Sequence, residues 1–308
     1  MSTLKRIICI SIAIIGCLLP GAWAQTSNKV LVILKQGDFE PIPTIIKNTR
    51  TIIAKANPQI SIQEITFKDD TDAINSVKKI NPNIILLVGK DIGKALAQNI
   101  PDTPIVISDM LRPAYIQTFP HDRIVVNSLY VPIETRIEYI QKILPNAKTI
   151  SIVYSGIKNS DAAEEAEQYA QNHGLTIKKF PVDTEKDIQA ISSLKADALL
   201  LIPDTLVCNA ISLRHIMEIS LQEAIPIMGI SEYFAQTGTV MAISPNFDEY
   251  SKDLANTIGQ LAQGAPVNTI PNTFATKVDY FINAAMAKVN KVNFNADVIT
   301  GAKKVFGQ

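Results

Sequence analysis

Five short polar stretches carry most of the side chains that could do chemistry: Gly89-Lys90-Asp91, Ser108-Asp109, Asn159-Ser160, Asp204-Thr205 and Ser231-Glu232. Each follows an apolar run or opens the segment after one, as in "ALLLIPDT" over 198–205. Carboxylates, hydroxyls and amides so placed suit a polar or charged solute. Two carboxylates facing each other, such as Asp109 and Glu232, could also hydrolyse a glycoside as acid and base. Each residue has a plainer reading too. Asp204, Thr205, Asn159 and Ser160 could be helix N-caps, Asp109 could pair with Arg112, and Glu232 could be a solvated rim residue. Their equivalent placement favours a cleft more than any one of them does alone.

Other chemistries find little support. His121, His173 and His215 have no second metal ligand nearby in the sequence, so no metal site is expected. His173 precedes Gly174 at the end of a helical segment, where a cation suits the dipole. Cys208 reads as a packing residue about one turn into its helix. No histidine is placed to activate it. There is no G-x-S-x-G, G-x-G-x-x-G or P-loop, so neither a catalytic residue nor a cofactor is expected.

The first residues form a separate unit. Lys5 and Arg6 precede "IICISIAIIGCLL", and Ala22-Trp23-Ala24 follows. This is the plan of a secretory signal peptide over 1–24, and it places the mature chain in the periplasm. "IIGC", ending at Cys17, offers a lipid anchor as the alternative. Cleavage removes Cys9 and Cys17, leaving Cys208 without a disulfide partner, as suits a bacterial cell envelope. The whole chain of 308 residues balances 29 Lys and Arg against 29 Asp and Glu. That balance carries no electrostatic footprint for a nucleic acid partner. With 47% hydrophobic and 19% charged residues, the chain has the composition of a folded globular protein.

The elements that must position the five stretches alternate. "KVLVI", "NIILLVG" and "PIVISDM" read as strands buried on both faces, with helical spacing between them. The pattern repeats from "TISIVYSG" (149–156) through "ADALLLIPD" to "IPIMGISEY". Thr184 and Asp187 are spaced as a capping box, and Asp70-Thr71 opens a helix. Both halves run Asp-Thr, helix, strand, polar turn, helix, Ile-Pro, strand, Ser-acid. The expected fold is α/β: two doubly wound parallel-sheet lobes joined by a hinge. The first lobe takes 28–125 plus 246–268, and the second 126–245 plus 269–308. Ligands of such sheets bind beyond the carboxyl ends of the strands, where all five stretches lie.

The stretches "LPNAKTISIVYS" (144–155), "NSDAAEEAEQYAQNHGLTI", "DIQAISSLKADALLLIPDTLV", "EAIPIMGISEYFAQTGTVMAIS" and "DEYSKDLANTIGQLAQG" carry a family likeness. The chain resembles the ABC-transporter substrate-binding proteins of the type I periplasmic binding fold, in the branch that includes proteins for aromatic amino acids. The resemblance implies two lobes with three crossings that close on a small solute. It places ligand contacts at Lys90, Asp91, Ser108, Asp109, Asn159, Ser160, Asp204, Thr205, Ser231 and Glu232. The sequence departs from the common pattern at Tyr154-Ser155-Gly156-Ile157, where many relatives have Asn-Pro, and in the first turn, "KQGDFEP". The implied protein is a monomer that captures an amino acid or other small organic solute and delivers it to an ABC transporter permease. An ammonium would meet Asp109, Asp204 or Glu232, and Tyr154, Tyr233 or Phe39 an apolar body. A sensor serving a membrane receptor and a secreted hydrolase are the alternatives. A repressor with a similar core is disfavoured by the leader and by the lack of N-terminal DNA-binding helices.

Overall fold

Runs of Ile, Val and Leu need cover on both faces, and the chain provides it with two helix-flanked sheets. A computed structural model describes residues 29–89 and 91–307. The leader expected over 1–24, its Cys17, and Lys90 lie outside the described residues.

The first lobe begins with β1 (Lys29–Lys35), α1 (Ile42–Ala56), β2 (Ile60–Thr66), α2 (Asp70–Ile80), β3 (Ile84–Val88) and α3 (Gly93–Asn99). It continues with β4 (Ile105–Asp109), α4 (Pro113–Ile116) and β5 (Ile124–Ser128). Alternate strand residues serve opposite faces. Leu31 and Ile33 join the cluster beneath α1, whereas Val32 and Leu34 join Ala73, Val77 and Leu96 on the other side. Burying each such side chain contributes about 1.5–3 kcal/mol. Asp69 caps α2 by accepting from the Asp72 N–H at 2.8 Å, one residue before the expected start.

The second lobe follows with α5 (Ile133–Ile143), β6 (Thr149–Ser155), α6 (Gly156–Asn172), β7 (Thr176–Val182), α7 (Glu185–Gln189) and β8 (Ala198–Leu200). Then come α8 (Ala210–Glu223), β9 (Ile227–Gly229), α9 (Glu232–Thr237) and β10 (Met241–Pro245). The capping box of Thr184 and Asp187 is present. Helix α10 (Phe247–Ala262) returns to the first lobe and packs along α1, where the Asn48 amide donates to Asp248 at 2.9 Å. The chain ends with β11 (Thr273–Phe274), β12 (Val278–Asn283), α11 (Ala284–Val289), α12 (Ala296–Gly301) and β13 (Lys304–Phe306).

The two sheets run β11-β5-β4-β3-β1-β2 and β13-β12-β10-β9-β8-β6-β7. Strand β12 is antiparallel to β10, with Val278 opposite Pro245, so the second sheet is not wholly parallel. Sheet pairing also moves the expected lobe boundaries. The changeover at 125/126 falls inside β5, and the one at 268/269 precedes β11, which pairs with β5. The crossings therefore follow Ser128, Pro245 and Phe274. One apolar cluster runs through the first of them, from Leu129, Val131 and Ile133 into both lobes.

Candidate functional site

The strand ends of the two sheets face each other. Arg112, just beyond β4, pairs with Asp161 in α6 and donates to the Lys158 carbonyl, so it joins the lobes directly. On the other side, Glu40, Pro41 and Thr44 from the first lobe meet Ser231, Glu232 and Tyr233 from the second around a cavity of about 420 Å³. Its remaining wall comes from the later crossings: Ser244 and Phe247 around the second, Asp279 and Phe281 on β12, and Lys303. This volume suits a small organic molecule.

Two carboxylates in the turns of the first lobe, Asp91 and Asp109, form no ion pair among the described residues. Gly89 makes the turn after β3 at φ +82°, in the left-handed region glycine favours. Asp91 then accepts from the Gly93 N–H at 3.1 Å and from the Tyr115 hydroxyl. That bond pushes the Tyr115 phenol up to about 12. Asp109 ends β4. Its carboxylate accepts from the Met110 N–H at 2.7 Å, and no cation pairs with it among the described residues. Burial raises the Asp109 pKa, the Met110 N–H partly offsets this, and the Asp91 charge adds to the rise. Ser108 does not open toward the cleft. Its hydroxyl is fully buried and bonds the Tyr250 hydroxyl at 2.8 Å, which in turn donates to the Asn127 carbonyl.

The turns of the second lobe are tied together. The Asp204 carboxylate accepts from the Ser155 N–H at 2.8 Å and the Asn159 amide at 2.5 Å with one oxygen. Its other oxygen accepts from the N–H groups of Leu206, at 2.8 Å, and Val207, at 3.3 Å. Asp204 is thus a buried staple between the β6 and β8 turns rather than an open acceptor, and Asn159 is buried with it. Helix α6 starts earlier than the sequence suggests. Ser155 caps it, accepting from the Lys158 N–H at 3.3 Å, and Asn159 is a kink with φ −131°. Ser160 and Thr205 are exposed. Cys208 lies in the turn ahead of α8, half-buried, and burial pushes its thiol up to about 11. Ser231 and Glu232 line the cavity, and Glu232 pairs with Lys304 at 3.0 Å.

Large apolar side chains stand exposed on both rims: Phe39, Met110 and Tyr115 on the first lobe, Ile157 and Tyr233 on the second. Ile157 is 80% and Tyr233 67% accessible. Apolar surface gathered at a cleft marks a place that binds something. Among the described residues no group of three or more His, Cys, Asp or Glu could hold a metal.

The profile of the ABC transporter substrate binding protein family matches residues 46–306. The chain belongs to this family. It is 21% identical over 211 residues to the tyrosine-binding protein of Clostridioides difficile (strain R20291). That match covers 65% of this chain and 61% of the relative's length. Two solved structures share the fold. A ligand-free, open substrate binding protein with adhesive properties from Clostridium difficile aligns with TM-score 0.75 and 17% identity, over 91% of this chain and 100% of that one. An ABC domain in complex with L-Trp from Streptococcus pneumonia aligns with TM-score 0.66 and 18% identity, over 91% and 100%. The family is one of solute-binding proteins, not of enzymes, which sets the hydrolase reading aside.

In this substrate-binding protein, reading strand ends missed Glu40, Phe247, Asp279 and Lys303. Glu40 lies on the β1 turn, a strand end like the others, and the same rule could have found it. Asp279 escaped because β12 is antiparallel: its amino end, not its carboxyl end, reaches the cleft. The Asn246 amide holds Asp279 at 2.8 Å, and Lys303 pairs with it. No helix among the described residues is long and apolar enough to cross a membrane.

Proposed function

We propose that this substrate-binding protein captures an amino acid between its lobes outside the cytoplasm and delivers it to the membrane component of an ABC transporter. The observation that carries this reading is the cavity of about 420 Å³ shared by both lobes, which sets Tyr233, Phe247 and Phe281 against the carboxylates of Glu40 and Glu232. Aromatic faces suit an apolar side chain, and a carboxylate without its own cation suits an ammonium. Glu232 and Asp279 already have lysine partners, whereas Glu40 makes no ion pair among the described residues. The named ligands of the relatives, tyrosine and L-Trp, agree with such a solute. Of the expected contacts, Asp91, Asp109, Ser160, Thr205, Ser231 and Glu232 remain candidates. Ser108, Asn159 and Asp204 have inward partners instead.

A thermal-shift screen of the purified chain against the twenty amino acids, nucleosides and sugars tests this. A true ligand at a hundredfold excess over its Kd adds about 2.7 kcal/mol of stability. Recovery of the compound unchanged supports capture, and recovery of a product returns the hydrolase. If only sugars or nucleosides shift the midpoint, the amino acid assignment is wrong.

A further inference from the structure

The second lobe carries another cavity, of about 400 Å³, at its pole away from the cleft. Ala147, Asp197 and Pro226 line it, and they stand just ahead of β6, β8 and β9. The carboxyl ends of the same strands face the first lobe. Strand β6 is 7 residues long and spans roughly 20 Å, which sets the cavity that far from the cleft. Helices α5 and α8 end against it, and the loop from α11 to α12 closes its remaining side. The Val292 N–H donates to the Ala287 carbonyl at 2.8 Å and holds that loop in place.

Three side chains here keep hydrogen-bonding capacity that the fold does not use. Asn290 is 4% exposed. Its Nδ2 donates to the Met286 carbonyl at 3.0 Å, which fixes which end of the amide is the acceptor. Its Oδ1 is buried without a partner. Buried polar atoms ordinarily have one, so this acceptor wants a donor from outside the chain. Asn295 occupies the N-cap position of α12 but makes no capping bond. Asparagine is among the best capping residues, and Asn209, Asn246 and Asn283 do cap α8, α10 and α11. Asn295 lines the cavity instead. One oxygen of Asp197 accepts from the N–H groups of Lys148 and Thr149, each at 2.8 Å, which anchors the carboxylate at the rim. Its other oxygen bonds nothing among the described residues.

The chemistry of the lining points to a neutral ligand. Asn146 and Asn293 bring the amides to four, each a donor and an acceptor at once. Asp197 and Lys291 supply one charge of each sign, and both are exposed, so water screens them. Pro145, Pro226 and Val292 add apolar faces between the amides. Hydroxyls set around a C–H framework meet all of these groups. A second cavity of about 400 Å³ shares Ala196 and Asp197 with the first, which leaves room for a second ring.

We propose that this pole of the second lobe is a saccharide site, separate from the interlobe cleft, where Asn290, Asn295 and Asp197 bind the hydroxyls of a neutral sugar. The site does not depend on which solute the cleft takes.

Nitrogen-15 spectra of the labelled, purified chain test this by titration with glucose, N-acetylglucosamine, cellobiose and chitobiose. Putrescine, acetate and glycine serve as charged probes. At least one sugar is expected to shift the amide signals of Asp197 and of 290–295 saturably, and the charged probes are not. Asn295→Ala is expected to weaken that sugar about tenfold at unchanged Tm, because its side chain makes no bond within the fold. Asn290→Leu is expected to weaken it by a similar factor. If that variant does not fold, Asn295→Ala alone decides. Sugar affinity unchanged in Asn295→Ala overturns the assignment. So do sugars that shift only 231–233, which would be cleft solutes, and a charged probe that shifts 290–295 where sugars do not. If no sugar shifts any signal, the saccharide site falls and the reading of the cleft stands.

Discussion

The two lobes place equivalent polar residues at equivalent strand ends and use them differently. In the second lobe Asp204 is bonded by four donors, and Asn159 and Ser155 are drawn in around it. In the first lobe Asp109 receives one N–H and pairs with no cation among the described residues. Both are aspartates that close a buried strand segment. Residue type and position do not separate structure from recognition here. What separates them is how much of each group's hydrogen-bonding capacity the fold itself has used. The largest expected effect tests this. Asp204→Ala leaves the N–H groups of Ser155, Leu206 and Val207 and the Asn159 amide without an acceptor, and is expected to cost about 3–5 kcal/mol in urea denaturation. A loss below 1 kcal/mol would erase the contrast between the lobes.

Ser108 sharpens the comparison from within the first lobe. It precedes Asp109, so alternation sends its side chain the other way, into the core against Tyr250. Ser108→Ala is expected to cost about 1–2 kcal/mol, since it takes a partner from a buried hydroxyl. Binding of any solute should be untouched. A binding defect at unchanged stability would put Ser108 back in the cleft.

Much of this was legible in the sequence. Leu31 to Leu34 and Ile84 to Val88 are unbroken apolar runs, and they are fully buried central strands. The capping box at Thr184 is local, so three residues suffice to see it. The staple is not local: Asp204 reaches Ser155 and Asn159 across 49 and 45 residues, and no spacing rule reports such a meeting. The kink at Asn159 has the same origin, because the residue turns inward to that carboxylate. The cavity mixes residues from both lobes, so it exists only once the lobes are assembled.

The link between the lobes gives a smaller effect. Arg112 and Asp161 are 28% and 36% exposed, so water screens their attraction, and Arg112→Ala is expected to cost at most about 1 kcal/mol. Its consequence lies in shape rather than stability. The variant should shift the lobes toward the open arrangement, seen as a larger radius of gyration in small-angle scattering. An unchanged radius would mean that packing at the crossings alone sets the lobe angle.

The smallest effect on stability has the opposite sign. Burial raises the folded-state pKa of Asp109 above the ordinary 3.8. Between those two values the folded chain binds more protons than the unfolded one, so this group's contribution to stability falls as pH rises. It is full below 3.8 and gone once pH passes the raised value. Asp109→Asn removes that dependence. The variant is therefore expected to gain on the parent as pH climbs through this window and to hold a constant lead at neutrality. Asp204→Ala should lose at every pH where its carboxylate is charged. Denaturation of both variants from pH 3 to 8 makes the comparison directly. If Asp109→Asn lost stability at neutral pH, Asp109 would be a structural acceptor like Asp204, and the lobes would differ in sequence but not in kind.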